Sequence, residues 1–236
     1  MNSELERIAA HHDQTQGFTP RLIECRANTL ESVLSPGRIL DLGCADGLLT
    51  WHLAQYHSHV LALDASALRV ERTRARVSEL GNVDVVQSKF EEFDPGDDRF
   101  DAIVMSCILE HVSDPPALLR HVVRWLSDGG KIVAIVPNAR SLHRRAGVRM
   151  GMLADLAAAG HTDHELGHHE MYTLEILASH FREAGLVVVE TGGHLIKPLP
   201  NDQMCSLDPK LLSAFEAIGH ELPDLSAEIF AVGSAS

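Results

Sequence analysis

The stretch Ile39-Leu-Asp-Leu-Gly-Cys-Ala-Asp-Gly-Leu-Leu-Thr50 constrains the fold more than any other part of this chain. Its apolar start reads as a buried strand, its glycines as a tight loop, and its Leu-Leu end as the opening of a helix. Asp41 closes the strand, Gly43 and Gly47 shape the loop, and Asp46 sits inside it. The next apolar run, His59-Val-Leu-Ala-Leu-Asp64, ends in another acid. That acid falls near the ~20-residue spacing of a ribose-binding carboxylate in a nucleotide-binding βαβ unit. A generic strand–turn–helix with surface acids is the plainer alternative.

The same rhythm runs along most of the chain. The pattern predicts helix Arg21–Leu34, strand Arg38–Leu42, helix Leu48–Tyr56, strand Val60–Leu63, helix Leu68–Leu80 and strand Val83–Gln87. Phe100–Ser106 reads as a fourth strand. Asp114 before Pro115 and Pro116 opens a helix to Leu126, and Asp128-Gly-Gly130 stops it before a fifth strand, Lys131–Val136. Helix Thr173–Ala184, strand Leu186–Glu190, helix Pro209–Glu221 and strand Glu228–Val232 follow. Alternation of this kind predicts an α/β fold: a Rossmann-like, doubly wound, mostly parallel sheet of seven strands in a single domain over residues 1–236.

Some stretches break the rhythm. Residues 1–20 are polar and rich in Gln and His, and read as an arm or lid. Residues 138–170 are rich in Arg, His and Met. They leave the carboxyl end of strand five, where open α/β sheets bind ligands, so they are expected to form a helical substrate cap. A helical hairpin that only covers the sheet edge is the alternative. Thr191–Asp208 interrupts the pattern in the same way after strand six.

The acids narrow the ligand. A dinucleotide pyrophosphate is doubly negative and wants bare N–H groups at a helix N-terminus. Carboxylates at Asp41 and Asp46 would repel it and attract a cation. S-adenosylmethionine carries a sulfonium and an ammonium and no phosphate, so it fits this loop better than NAD. The formal net charge of −13 argues against a wholesale grip on nucleic acid. The four cysteines are not at CxxC spacing, which suggests neither a zinc knuckle nor a disulfide framework. No apolar signal core opens the chain, and no run approaches the ~18 apolar residues of a membrane span. A cytoplasmic protein without membrane or nucleic-acid partners, monomeric or homodimeric, is the expectation.

The segment resembles motif I of the class I S-adenosylmethionine-dependent methyltransferases, and the likeness spans roughly Leu30 to Phe230. Ala45 stands where that family often has a third glycine. The resemblance implies a last strand inserted antiparallel beside the fifth. It implies S-adenosylmethionine as cofactor, with S-adenosylhomocysteine as product. It also implies a cofactor site from Asp41, Gly43, Cys44, Ala45, Asp46, Gly47, Asp64, Ala65, Lys89, Phe90 and Ser106. Lys89 takes the place of the family's usual acid after strand three, so its backbone rather than its side chain is expected to hold the adenine.

Strand four runs into Met105-Ser-Cys-Ile-Leu-Glu-His-Val112. This resembles the family's post-strand motif and not the Asn/Asp-Pro-Pro-Tyr signature of base methylation. Gly167-His-His-Glu-Met-Tyr-Thr173 resembles the Gly-His that precedes an aromatic-Thr/Ser pair in several members. Members of the ubiquinone-biosynthesis and small-RNA 2′-O type bring a Glu, an adjacent His and this later His together, some around a divalent metal. The carry-over makes Glu110, His111 and His168 the catalytic candidates, with His168 favoured as base. Cys107 replaces the first acid of the metal set, which disfavours magnesium and leaves a softer ion open. The histidine side chain ordinarily titrates at ~6.5, which suits it to deprotonating a hydroxyl. A structural role for Glu110 and His111, bonding backbone or capping a helix, is equally open.

Arg140, Arg144, Arg145 and Arg149 make a local basic patch in an acidic chain. Arginine suits carboxylate or phosphate, so a small anionic acceptor is expected, although a solvated helix face is as common. Asn138, His143, Arg144, Tyr172 and Lys197 are the candidate substrate contacts. The expected reaction is methylation of a small metabolite, oxygen favoured, in the making of a natural product or sugar. Nitrogen methylation and a metal-assisted 2′-O reaction remain alternatives. A nucleotide-dependent oxidoreductase would usually carry a Tyr-x-x-x-Lys pair, and neither Tyr56 nor Tyr172 has a lysine four residues on. A non-catalytic partner subunit is the remaining alternative, and the acids at Asp41, Asp46 and Asp64 count against it.

Overall fold

Three strands with consecutive buried residues set the centre of the sheet. They are β1 (Arg38–Leu42), β4 (Phe100–Ser106) and β5 (Leu126–Pro137). Ile39, Leu40 and Leu42, then Ile103 to Met105, then Ile132 to Val136 are all 0% exposed. Strands buried on both faces need cover on both faces. One face is covered by α1 (Thr19–Val33) and α2 (Leu48–Tyr56), through Ile23, Leu30, Leu49 and Leu53. The other is covered by α4 (Pro115–Val122) and α6 (Leu174–Glu183), through Leu118, Leu119, Leu177 and Phe181. The helix between these pairs in sequence is α3 (Ala67–Val77). This computed structural model describes residues 6–7, 9–10, 13–158, 160 and 167–235.

With β2 (His59–Asp64), β3 (Val83–Gln87), β6 (Leu186–His194) and β7 (Glu228–Ala235), the sheet runs β3-β2-β1-β4-β5-β7-β6. β7 is antiparallel to both β5 and β6, and the other neighbours are parallel. The antiparallel insertion beside the fifth strand agrees with the resemblance. Strand order reverses between β1 and β4, the kind of switch point where open sheets hold ligands. The loops after β1 and β4 leave that point side by side.

Local chemistry starts the helices where the sequence places them. Ser66 Oγ accepts from Arg69 N at 3.2 Å to open α3. Asp114 Oδ1 accepts from Ala117 N at 2.9 Å, with prolines in the first turn of α4. Thr173 caps α6 through Ile176 N, and Asp208 caps α8 (Pro209–Glu221) through Lys210 N. These bonds satisfy backbone donors that a helix start leaves orphaned.

The largest boundary differences from the sequence reading fall in two places. The helix expected to reach Leu126 ends at Val122, and β5 already begins at Leu126. Asp128-Gly-Gly130 is therefore a strand irregularity, not a helix stop. Phe100 pairs with Leu126 while Ala102 pairs with Lys131. β6 runs to His194 rather than stopping at Glu190. Gly192 and Gly193 continue it because a Cβ there would lie 2.6 Å from the Phe230 ring and 2.0 Å from Ser226 Oγ. A pair of glycines that reads as a turn is a close packing contact instead.

Parts of the 1–20 arm and of the 138–170 cap lie outside the described residues. Of the arm, Glu6 accepts from Ser66 Oγ at 3.0 Å and Ala67 N at 2.7 Å, and Gln14 N donates to Asp46 Oδ2 at 3.1 Å. Of the cap, α5 (Leu142–Arg149) follows β5 closely. α7 (Asn201–Met204) precedes α8. Among the described residues no helix is long and apolar enough to cross a membrane.

Candidate active site

The glycine loop hangs from the end of β2. Gly43 N and Cys44 N both donate to Leu63 O, at 2.8 and 3.0 Å. Ala45 N donates to Asp64 Oδ2 at 3.0 Å, and Ser66 N to Asp64 Oδ1 at 2.9 Å. Gly43 has φ +86° and Gly47 φ +75°, a conformation that costs other residues energy. A Cβ at Gly43 would sit 2.1 Å from Ile108 Cδ1 and 3.6 Å from Phe90 Cζ. The loop is thus packed from above by the residues that follow β4 and β3. Ala45 adopts φ +48° without being glycine.

The acids at this loop are buried and differ in their partners. Asp41 accepts from Thr50 Oγ1 at 2.6 Å. Burial pushes its carboxyl up to about 6, the Thr50 bond offsets part of that, and the Asp64 charge adds to it. Asp64 is raised by burial, against Arg69 and its two backbone donors. Asp46 accepts from Arg72 Nη1 at 3.1 Å. The two loop acids are therefore not equivalent. Arg72 matches the charge of Asp46, whereas Asp41 has no cationic partner among the described residues.

Asp41, Gly43, Cys44 and Ser106 line one small cavity with Gln14, Ile23, Arg26 and Leu49. Ser106 Oγ is buried there without a hydrogen-bond partner among the described residues. Ala65 is half-buried after Asp64. Lys89 Nζ pairs with Glu92 Oε1 at 2.5 Å, so its side chain is engaged outside the loop.

Arg26 is the residue that sequence reading missed. Its guanidinium donates to Glu228 from Nε at 2.8 Å and Nη2 at 2.5 Å. His194 Nε2 lies 2.9 Å from Glu228 Oε2, and its Nδ1 lies 3.1 Å from Thr29 Oγ1. All four side chains are buried. A signal did exist: Arg26 interrupts the buried helical stripe Leu22, Ile23, Ala27, Leu30.

The second group follows β4, on a single 3₁₀ turn, Leu109–His111. Glu110 is 1% exposed, and neither carboxylate oxygen has a hydrogen-bond partner among the described residues. Burial pushes it up to about 7. Burial and the neighbouring His168 press His111 down to about 4. The His111 and His168 rings meet edge-on with centroids 4.9 Å apart. His169 N donates to Glu110 O at 2.7 Å, which ties the later segment to the turn. One ligand atom from each of Glu110, His111 and His168 lies within 4.8 Å of the other two. Residues 57 positions apart or more in the chain thus converge, as the resemblance implies. Cys107 sits at φ +55° beside this turn, and burial pushes its thiol up, so it is a neutral thiol.

The substrate candidates fare differently. Tyr172 is 1% exposed in the main core, with its hydroxyl against Leu109 O and His180 Nδ1, so it presents nothing to an acceptor. Asn138 is 2% exposed, and its Nδ2 donates to the carbonyls of Pro223, Asp224 and Ser226. It fastens the end of β5 to the turn before β7. Both serve here as internal ties. Arg140 and Arg145 pair with Asp224, and Arg140 also with Glu175. Arg144 Nη2 donates to Leu156 O and Ala158 O, which folds the cap back on α5. His143 lies half-buried on α5. Lys197 Nζ donates to Asn201 Oδ1 at 2.8 Å, and burial lowers its pKa while nearby Glu228 opposes this.

Known proteins of like sequence and shape are enzymes of one kind. A methyltransferase domain model matches residues 12–191. The ubiquinone biosynthesis O-methyltransferase of Xanthomonas euvesicatoria pv. vesicatoria (strain 85-10) is 31% identical over 214 residues, covering 84% of this chain and 86% of that protein. Its counterpart from Rhodopseudomonas palustris (strain BisB5) is 30% identical over 190 residues, covering 80% and 73%. The N-methyltransferase NodS of Bradyrhizobium japonicum WM9, solved with S-adenosyl-L-homocysteine, shares the fold with TM-score 0.62 at 17% identity, over 98% of this chain and 96% of that one. A Thermotoga maritima SAM-dependent methyltransferase, described as a possible histamine N-methyltransferase, gives 0.68 at 18% identity, over 100% and 99%. With sheet order, loop and domain match in agreement, the chain belongs to the class I S-adenosylmethionine-dependent methyltransferases.

Proposed function

We propose that this enzyme methylates a hydroxyl oxygen of a small metabolite, and that the Glu110–His111–His168 cluster takes up the proton. The observation that carries the reading is Glu110: a buried carboxylate whose oxygens have no nitrogen or oxygen hydrogen-bond partner among the described residues, beside the Cys107 thiol and two imidazoles, on the turn whose Ile108 covers the cofactor loop. A buried carboxylate left unpaired is expensive, and functional sites are where such groups concentrate. The relatives named as O-methyltransferases support oxygen as the accepting atom.

Methyl transfer is an in-line displacement from the sulfonium, and alignment supplies most of its acceleration. Asp64 would hold the ribose, and Asp41, which has no cationic partner among the described residues, favours the cationic end of the cofactor. The backbone of Lys89 and Phe90 would meet the adenine edge. The acceptor hydroxyl must lose a proton as the C–O bond forms and the S–C bond breaks. His111 is neutral above about pH 4 and Glu110 ionises near 7, so each can receive it directly or through His168. An anionic group on the acceptor has its support in Lys197, whose Nζ bonds the neutral Asn201 Oδ1. Synthesis of a natural product or sugar is the setting that such an acceptor suggests.

A second reading adds a divalent ion. The orphaned oxygens of Glu110 and the mutual approach of Glu110, His111 and His168 fit one. These three residues would hold it, and the ion would lower the pKa of the acceptor hydroxyl. The neutral thiol at Cys107 in place of a carboxylate points to an ion softer than magnesium.

The test uses methyl-labelled S-adenosylmethionine, the purified protein and a metabolite extract, read by mass spectrometry. A labelled product carrying the methyl on oxygen supports the proposal, and its loss with added chelator would favour the metal reading. A label found on nitrogen or carbon overturns it.

A further inference from the structure

The candidate site leaves two polar side chains unexplained, Tyr172 and His180. Tyr172 is fully buried, yet its hydroxyl oxygen lies 3.1 Å from His180 Nδ1 and 3.4 Å from Leu109 O. A phenol has one proton to give and lone pairs to accept with. Both contacts are satisfied when Tyr172 donates to the Leu109 carbonyl and accepts from His180 Nδ1. The two rings stand edge-on, with centroids 5.5 Å apart at 89°.

The bonding partners give this hydroxyl a place in the site. Leu109 opens the turn that carries Glu110 and His111, and His180 belongs to α6. Residues 167–173 between the cap and α6 have no helix or strand of their own. No ladder of backbone bonds sets their register. The ties that fix them include His169 N to Glu110 O at 2.7 Å, Ala139 N to Tyr172 O at 2.8 Å, a bond between His111 and the Gly167 backbone, and the Tyr172 hydroxyl. His168 lies inside that tied segment.

We propose that Tyr172, backed by His180, is a positioning residue whose hydroxyl holds the Leu109–His111 turn in register with residues 167–172, so that His168 stays against His111 and Glu110. The proposal rests on the reading of those three residues as the reacting cluster. Burial also raises the Tyr172 phenol well above its ordinary range, which keeps it a neutral donor and not a proton acceptor. The ring and the hydroxyl are separable. Phenylalanine fills the same core volume and lacks only the bond, and a reacting constellation loses function when its support is about 1 Å loose.

The experiment measures the nuclear Overhauser cross-peak between the His111 and His168 ring protons in histidine-labelled protein. Tyr172→Phe is expected to weaken it about threefold, the effect of the rings parting by about 1 Å from their present spacing. Calorimetry with S-adenosylhomocysteine is expected to give unchanged affinity. A wild-type cross-peak in Tyr172→Phe, whatever its Tm, overturns the proposal, because the tyrosine then only fills the core. Should that variant fail to fold, His180→Leu at a half-buried position probes the same link, and an unchanged cross-peak there overturns it equally. The cross-peak does not depend on turnover. A fully active His168→Ala enzyme would sink the base reading and leave this measurement standing.

Discussion

Replacing Asp64 by alanine separates two jobs that one carboxylate performs. In the free enzyme its oxygens accept from Ala45 N and Ser66 N, so they fix the glycine loop and the start of α3. Their loss strands two buried donors, at a cost of about 1–3 kcal/mol. Burial already raises the Asp64 carboxyl, so deletion also removes a desolvation cost, and the net loss belongs at the low end of that range. For a chain of this size it lowers Tm by roughly 2–6 °C. In the complex the same carboxylate is expected to hold the ribose hydroxyls through charge-assisted bonds. Losing them weakens S-adenosylhomocysteine binding by about 2–4 kcal/mol, roughly 30- to 700-fold in Kd. Calorimetry gives the Kd, and a thermal melt gives the stability. Asp64→Asn keeps the shape and one acceptor, so it should fall between the two. A folded Asp64→Ala protein with a Kd within about threefold of wild type would refute the ribose assignment.

Four further outcomes are expected. Ala45→Gly relieves a left-handed backbone and should stabilise the protein by about 0.5–1 kcal/mol in chemical denaturation, whereas a loss would show that the loop does not strain Ala45. Arg26→Met leaves Glu228 buried with His194 as its remaining partner, at about 3–5 kcal/mol by denaturant melt, and a loss below about 1 kcal/mol would contradict the pairing. Burial pushes Glu228 up, but Arg26 and His194 overcome this and hold it well below the usual range. Its stabilisation is therefore full above the ordinary glutamate value and fades in acid, and Glu228→Gln should flatten that acid limb. Glu110, raised by burial to about 7, accepts a proton only as the pH passes that value. Turnover should climb through pH 7, and Glu110→Gln should lower it about 10²–10⁴-fold and erase the climb. Stability moves the other way. The protonated carboxyl suits its burial, so wild type loses stability between its ordinary 4.5 and about 7, and the glutamine variant does not.

What was legible in the sequence was local. Ile39 to Thr50 places a strand, a loop and a helix within twelve consecutive residues, and burial, turn and cap signals agree there. The central strands were plain because both their faces are covered. The strand was expected to end at Glu190, and composition does not show that Gly192 and Gly193 continue it through a close approach to Phe230 and Ser226. Asn138 and Tyr172 fall in the right neighbourhood, but which way a side chain points depends on partners far along the chain. Tyr172 turns to Leu109, 63 residues back, and Asn138 to Ser226, 88 residues on. Arg26 stood out only as a break in an apolar stripe, and its role could not be read because its partner is 202 residues away. The convergence of Glu110, His111 and His168 came from resemblance, since no periodicity joins them.

The order of the sheet has a consequence for synthesis. β7 comes after β5 and β6 in the chain, yet it lies between them. A nascent chain therefore carries two unfinished strand edges until its last strand leaves the ribosome, a state exposed to mispairing. Glu228 rides on that strand, so Arg26, made 202 residues earlier, waits for its counter-ion until that strand is made. Arg26 lines the cavity beside the glycine loop, so that wall gains its counter-ion in the same step that closes the sheet.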